Sequence, residues 1–111
     1  MGSEETYARD LSDLTAIREE VEARAGDCAR YLEKHGILAR TVTLKLRYSN
    51  FQTVTRSHTH RPATRSLEEI ATRAAALLEK TEAGERPVRL IGVSVHGLET
   101  TGEPGQMDLG V

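Results

Sequence analysis

Residues Thr41 to Tyr48 alternate without a break, and this constrains the fold more than any other stretch of the chain. Val42, Leu44, Leu46 and Tyr48 fall on one side of an extended strand, while Thr41, Thr43, Lys45 and Arg47 fall on the other. Such a strand needs apolar cover on one face and water or a polar ligand on the other. Two amphipathic stretches can supply the cover. Leu14, Ile17, Val21, Ala25, Cys28 and Leu32 recur at steps of three and four, which predicts a helix with one apolar stripe. Asp10 or Ser12 can cap its start, Asp13 suits the positive end of its dipole, and Gly36 after His35 suits a left-handed stop. Ser66-Leu67-Glu68-Glu69 reads as a capping box. The helix it opens carries Leu67, Ile70, Ala71, Ala74, Leu77 and Leu78 on one face.

The remaining stretches read as strands and connections. Glu4 to Ala8 is short and mixed, as expected of an edge strand or an incoming linker. Ser49-Asn50 suits a two-residue turn, since Asn tolerates positive φ. Phe51 to Thr59 returns as a Thr-rich strand whose phase stays open: Val54 shares parity with Arg56 and His58, so a bulge is allowed. Pro62 is expected to break that strand. Gly84 and Pro87 precede a final strand, Val88 to His96, with Ile91, Val93 and Val95 on one face and Gly92, Ser94 and His96 on the other. From Gly97 onward periodicity is lost, and a tail is expected. The order strand, helix, strand, strand, helix, strand predicts an α+β fold of split β-α-β type: a four-stranded antiparallel sheet with both helices on one face. The other sheet face, with Lys45, Arg47 and the threonines, is left bare.

With 111 residues the chain fits one domain with a modest core. No apolar run approaches the roughly 18 residues of a membrane span, and no signal-peptide pattern follows Met1. The single cysteine, Cys28, has no internal disulfide partner and suits a cytoplasmic location; on the apolar stripe it reads as core. The net charge of −2 hides a strong polarity. From Arg40 to Arg65 the chain carries Arg40, Lys45, Arg47, Arg56, Arg61 and Arg65, with His58 and His60, and no Asp or Glu. A domain polarised in this way can hold a polyanion on one surface. Catalysis is poorly provided for: no nucleophile, base and acid assemble, and no Gly-rich phosphate loop is present. His58 and His60 share one side of a strand but lack a third metal ligand. Arg, Lys, Thr and Ser are instead the inventory of phosphate contact. The bare face lacks paired aromatics for base stacking, so duplex backbone fits better than single-stranded RNA.

Several motifs, in order, carry a resemblance. Ala39-Arg40-Thr41-Val42-Thr43-Leu44-Lys45-Leu46-Arg47-Tyr48-Ser49-Asn50-Phe51-Gln52-Thr53-Val54-Thr55-Arg56-Ser57 resembles the central hairpin of the little finger domain of bacterial DNA polymerase IV, a Y-family translesion polymerase. Gly2 to Tyr7 with Asp10-Leu11 resembles the hand-over from thumb to little finger, and Pro87 to Val93 resembles the last strand. The tail from Gln106, after a Gly- and Pro-rich spacer, resembles the family's sliding-clamp-binding peptide.

The resemblance implies that the bare face lies along template-primer duplex. Thr55, Arg56, Ser57, Arg89 and Ser94 are the implied DNA contacts, and the alternation adds Lys45 and Arg47. It implies docking to a β sliding clamp through Gln106, Met107 and Leu109, and contact with the remaining polymerase domains. Ser94 stands where some relatives carry a basic residue, and the ending Leu109-Gly110-Val111 replaces a common Leu-Phe. The two Mg ions of nucleotidyl transfer would belong to palm carboxylates of the parent enzyme, which nothing in this chain matches, so no cofactor is expected here and the domain alone should be inactive. Residues 1–9 then read as linker and first strand, 10–97 as the core, and 98–111 as the docking tail of an excised domain. The alternatives are a non-catalytic protein-interaction domain of ferredoxin-like topology and a small acyl-phosphate hydrolase, the latter lacking an anion-cradling loop.

Overall fold

The alternating strand becomes β2, Ile37–Tyr48, and it lies inside the sheet with a neighbour on each side. A computed structural model of the chain describes residues 1–100. Around β2 it places β1 (Gly2–Leu11), α1 (Leu14–His35), β3 (Thr53–Thr64), α2 (Leu67–Leu77, continued by a 3-10 turn over Leu78–Lys80) and β4 (Val88–Thr100). The four strands run in the order β1-β4-β2-β3, and every pairing is antiparallel. β1 and β2 are therefore parallel with β4 between them, and β3 and β4 are parallel with β2 between them. Each β-α-β unit is split by one strand of the other, as the element order predicts.

Both helices cover one face. Ile17, Val21, Ala25, Cys28 and Leu32 from α1, and Ile70, Ala74 and Leu77 from α2, close over Val42, Leu44, Leu46, Tyr48, Val88, Ile91, Val93 and Val95 in a single core. Leu14 and Leu67 head their stripes but remain exposed, each being the first residue of its helix. Asp13 is the cap of α1, accepting from Ala16 N, and Gly36 ends it at φ 63°. Ser66 caps α2 by accepting from Glu69 N. The reciprocal half of the box is rerouted: Thr64 donates its hydroxyl to Glu69 and accepts from Ser66 N at 3.0 Å.

Several local expectations are corrected. The hairpin turn is longer than Ser49-Asn50, and its positive φ of 70° falls on Phe51. Asn50 contributes its side chain instead, accepting from Gln52 N at 3.1 Å. Pro62 does not end β3. It lies where the register with β2 shifts on an edge strand, a place where no ladder N–H is required. β4 does not stop at His96. Gly97 adopts φ 65° and interrupts the alternation, yet the ladder resumes with Leu98 opposite Ala39 and Thr100 opposite Ile37.

β1 is tied down by side chains as well as by its ladder. Ser3 donates to Asp27 of α1 at 2.5 Å, and Tyr7 donates to Glu20 at 2.7 Å. The Ser3 hydroxyl, aided by Arg24 and Arg30 against the opposing effect of burial, holds the Asp27 carboxyl below its usual range. Its folded pKa is lower than its unfolded one, so Asp27 contributes stability above the unfolded value and loses it as pH falls through the folded one. Asp27→Asn should therefore lower the melting temperature at neutral pH, and the difference from the parent should shrink as pH drops below about 4; thermal melts across that range check it. Cys28 is buried with its Sγ 3.4 Å from Val93 O, and burial pushes its thiol up to about 11. Iodoacetamide at neutral pH should leave Cys28 unmodified in the folded protein and alkylate it rapidly in denaturant, as mass spectrometry would show.

Candidate nucleic-acid interface

Residues directly opposite one another in paired strands project from the same face, so the register defines the uncovered side of the sheet. From β2 it receives Thr41, Thr43, Lys45 and Arg47. Their partners Thr59, Ser57, Thr55 and Thr53 come from β3. On the other side of β2 stand His96, Ser94, Gly92 and Leu90 of β4, and beyond them Gly2, Glu4 and Thr6 of β1. The helices contribute nothing here, since they pack on the opposite face.

The face is organised by short polar contacts. Thr43 and Ser57 share a hydroxyl hydrogen bond at 2.8 Å, and Thr41 and Thr59 another at 2.9 Å. Arg47 Nε donates to Thr53 Oγ1 at 3.0 Å, which ties the guanidinium to its partner directly opposite on β3. Ser94 Oγ lies 2.9 Å from His96 Nε2. Lys45 Nζ reaches across β4 to Glu4 Oε1 at 3.0 Å. Gly92 lies between these two in the register and carries no side chain to separate them. Gly2, Ser3, Glu4, Lys45, Gly92, Val93 and Ser94 line a hollow of about 330 Å³ at this point. Leu90, flanked by Thr6 and Arg47, belongs to this face yet is 3% exposed and stands apart from the core cluster.

Of the residues expected to touch DNA, the structure gathers Lys45, Arg47, Thr55, Ser57 and Ser94 on this one face. Arg56 is not among them. It stands opposite the buried Leu44, and its guanidinium turns back to Lys80 O at 2.9 Å and Thr55 O at 2.8 Å. The strand period of two forces this, because Thr55 and Ser57 cannot share a face with the residue between them. Arg89 falls in a bulge, where β2 advances from Arg47 to Tyr48 while β4 moves from Leu90 to Val88. Its guanidinium pairs with Asp10 at 3.3 Å and lies 4.9 Å from the Phe51 ring centroid at the end of the sheet. Gln106, Met107 and Leu109 lie outside the described residues.

Sequence reasoning missed Glu4, whose place on the face depends on pairing with a strand nearly the whole chain away. It also missed Arg73, which anchors α2 to the sheet through Arg40 O at 2.7 Å and His58 O at 2.9 Å. Burial lowers the pKa of that guanidinium. Arg73 Nε also donates to His58 Nδ1 at 3.3 Å, occupying a lone pair that a metal would need. Among the described residues no group of three or more His, Cys, Asp or Glu side chains converges on a point. No described helix is long and apolar enough to cross a membrane.

Among the described residues the arrangement is an open sheet face rich in hydroxyls, with Lys45 and Arg47 among them and a shallow hollow beside Lys45. Known proteins are similar to this chain in sequence and fold. The chain is 45% identical over 100 residues to DNA polymerase IV of Alkalilimnicola ehrlichii, covering 90% of this chain and 28% of that one. It is 42% identical to DNA polymerase IV of Halorhodospira halophila, covering 89% and 28%. Among solved structures, a complex of beta-clamp processivity factor and the little finger domain of PolIV holds a similar chain, with TM-score 0.68, 25% identity and coverage of 93% of this chain and 88% of that one. A DinB family error-prone DNA polymerase from Sulfolobus solfataricus shares the fold at TM-score 0.68 and 17% identity, over 83% of this chain and 27% of its own. The chain thus spans a little over a quarter of the length of its curated polymerase relatives. The impB/mucB/samB family C-terminal domain matches residues 1–109, and the chain belongs to that family.

Proposed function

We propose that this domain is the little finger of a translesion DNA polymerase, gripping template-primer duplex with its open sheet face and docking to a β sliding clamp through its C-terminal tail. The observation that carries the DNA reading is the shared face of Lys45, Arg47, Thr55, Ser57 and Ser94, held by the strand register opposite the helical layer. Cations and hydroxyls on a flat surface suit phosphates along a groove wall and read no base edge. Binding of this kind is sequence-indifferent and salt-sensitive. Arg56 and Arg89 lie off this face and act from its margins only after leaving their present partners: Arg56 the carbonyl oxygens of Lys80 and Thr55, and Arg89 the carboxylate of Asp10.

Nucleotidyl transfer, with its two Mg ions, belongs to the part of the polymerase relatives that this chain does not span. The domain contributes position: it holds the duplex against the rest of the enzyme, and the tail holds the enzyme at the clamp. The similarity to a chain solved together with a beta-clamp processivity factor supports the clamp as partner. The polymerase relatives support a cytoplasmic setting near bacterial DNA.

Replacing Lys45 and Arg47 together by Glu should weaken binding of a fluorescent template-primer duplex by more than about tenfold and reduce the salt dependence by about two phosphate equivalents. Anisotropy titrations at several salt concentrations measure both, and unchanged affinity would remove the open face as the site. For the tail, Gln106→Ala combined with Leu109→Ala should abolish binding to immobilised β clamp while leaving duplex affinity intact. Clamp binding undiminished by that pair, or by deletion of residues 106–111, would refute the docking role.

A further inference from the structure

We propose that Glu4 is a built-in competitor for the DNA backbone, occupying Lys45 with a carboxylate in the place a phosphate would take. This rests on the DNA-gripping reading above. Glu4, Gly92 and Lys45 form one row across β1, β4 and β2, and all three project from the open face. Neighbouring strands lie about 4.8 Å apart, so the outer two are separated by roughly twice that distance. A residue without a side chain between them leaves the path above the sheet open for the Glu and the Lys to meet. The Oε1 to Nζ distance is 3.0 Å, and a Cβ added at Gly92 would lie 3.3 Å from Glu4 Oε1.

Three further observations give this pair a functional meaning. Among the residues of the described strands that the pairing places on this face, Glu4 is the only acid, while Lys45 and Arg47 are its fixed cations. The pair therefore neutralises one of those two cations before any ligand arrives. It is also open to solvent, with 36% of the Lys45 and 49% of the Glu4 side chain exposed, so it adds little to stability and an incoming anion can displace it. Finally, it borders the hollow lined by Gly2, Gly92 and Ser94, where the sheet backbone can be approached closely. A carboxylate oxygen on an ammonium matches one oxygen of a phosphate on the same ammonium. When duplex binds, a phosphate takes Lys45, and Glu4 must either swing away or stay as a repelling charge. Either course weakens the grip.

Glu4→Gln removes the competitor and keeps the shape. Glu5→Gln makes the same charge change on the opposite side of β1, where Glu5 stands across from the buried Ile91. In anisotropy titrations of the full chain with template-primer duplex at low salt, Glu4→Gln should tighten binding by about three- to tenfold, and Glu5→Gln by distinctly less. In a Lys45→Met background, Glu4→Gln should give no more than Glu5→Gln gives. Unchanged or weaker binding by Glu4→Gln overturns the inference, as does a gain of the same size with and without Lys45. If the parent chain and all variants fail to bind duplex at low salt, the DNA-gripping reading itself falls; binding that ignores Glu4 leaves that reading standing and removes only the competitor.

Discussion

The structure depends on one constraint: the sheet has a single apolar face, and two helices are needed to cover it. β2 enforces the constraint because it is hydrogen-bonded on both sides, so its rotation and register are set by two ladders at once. Val42, Leu44, Leu46 and Tyr48 are all at most 1% exposed. Burial of side chains of this size contributes on the order of 1.5–3 kcal/mol each. A slip of one residue would exchange them for Thr41, Thr43, Lys45 and Arg47, placing an ammonium and a guanidinium under the helices. The packing of the core and the polarity of the open face are therefore one decision, made by the same strand.

That decision was legible because its signal is local. A period of two in β2 and of three to four in the helices can be read from neighbours in the chain, and so can the caps at Ser66 and Gly36. The misses share a different cause. β3 is an edge strand whose inward positions include Arg56 and His58, so its composition does not mark a buried face, and the phase came only from pairing with β2. Pro62 reads locally as a breaker, but an edge strand has no second ladder for it to disrupt. Local preference points the positive φ to Asn50, whereas the longer turn moves the demand by one residue to Phe51. Glu4 was invisible for the strongest reason. Its neighbours Gly92 and Lys45 are set by the register across two ladders, which nothing in the local pattern encodes.

The hydroxyl pairs bear on how such a face can meet an anion. In each pair one O–H donates to its partner, and the partner keeps its own proton for another acceptor. Thr43 with Ser57 and Thr41 with Thr59 thus each retain one donor toward solvent while their oxygens are held in place. Arg47 commits one of its five N–H donors to Thr53. The face is pre-ordered without being saturated. A mild net charge of −2 is compatible with this, since Glu20, Asp27 and Glu82 are engaged with arginines away from the open face.

A surface of this kind has a predictable limit. Its cations and hydroxyls recognise phosphate, and it offers no aromatic platform on which a base could stack, so its affinity comes almost entirely from a term that salt erodes. Glu4 lowers that term further by neutralising Lys45 in advance. On the proposed reading, strong attachment to DNA would not come from this face alone. In the proposed arrangement a second attachment through the tail would turn the next contact with duplex into an intramolecular event, so two weak contacts together would outlast either one. A grip that is weak at each phosphate also lets the duplex advance by one step without breaking a strong bond. If the proposed role holds, low affinity per contact is what the division between face and tail would make workable.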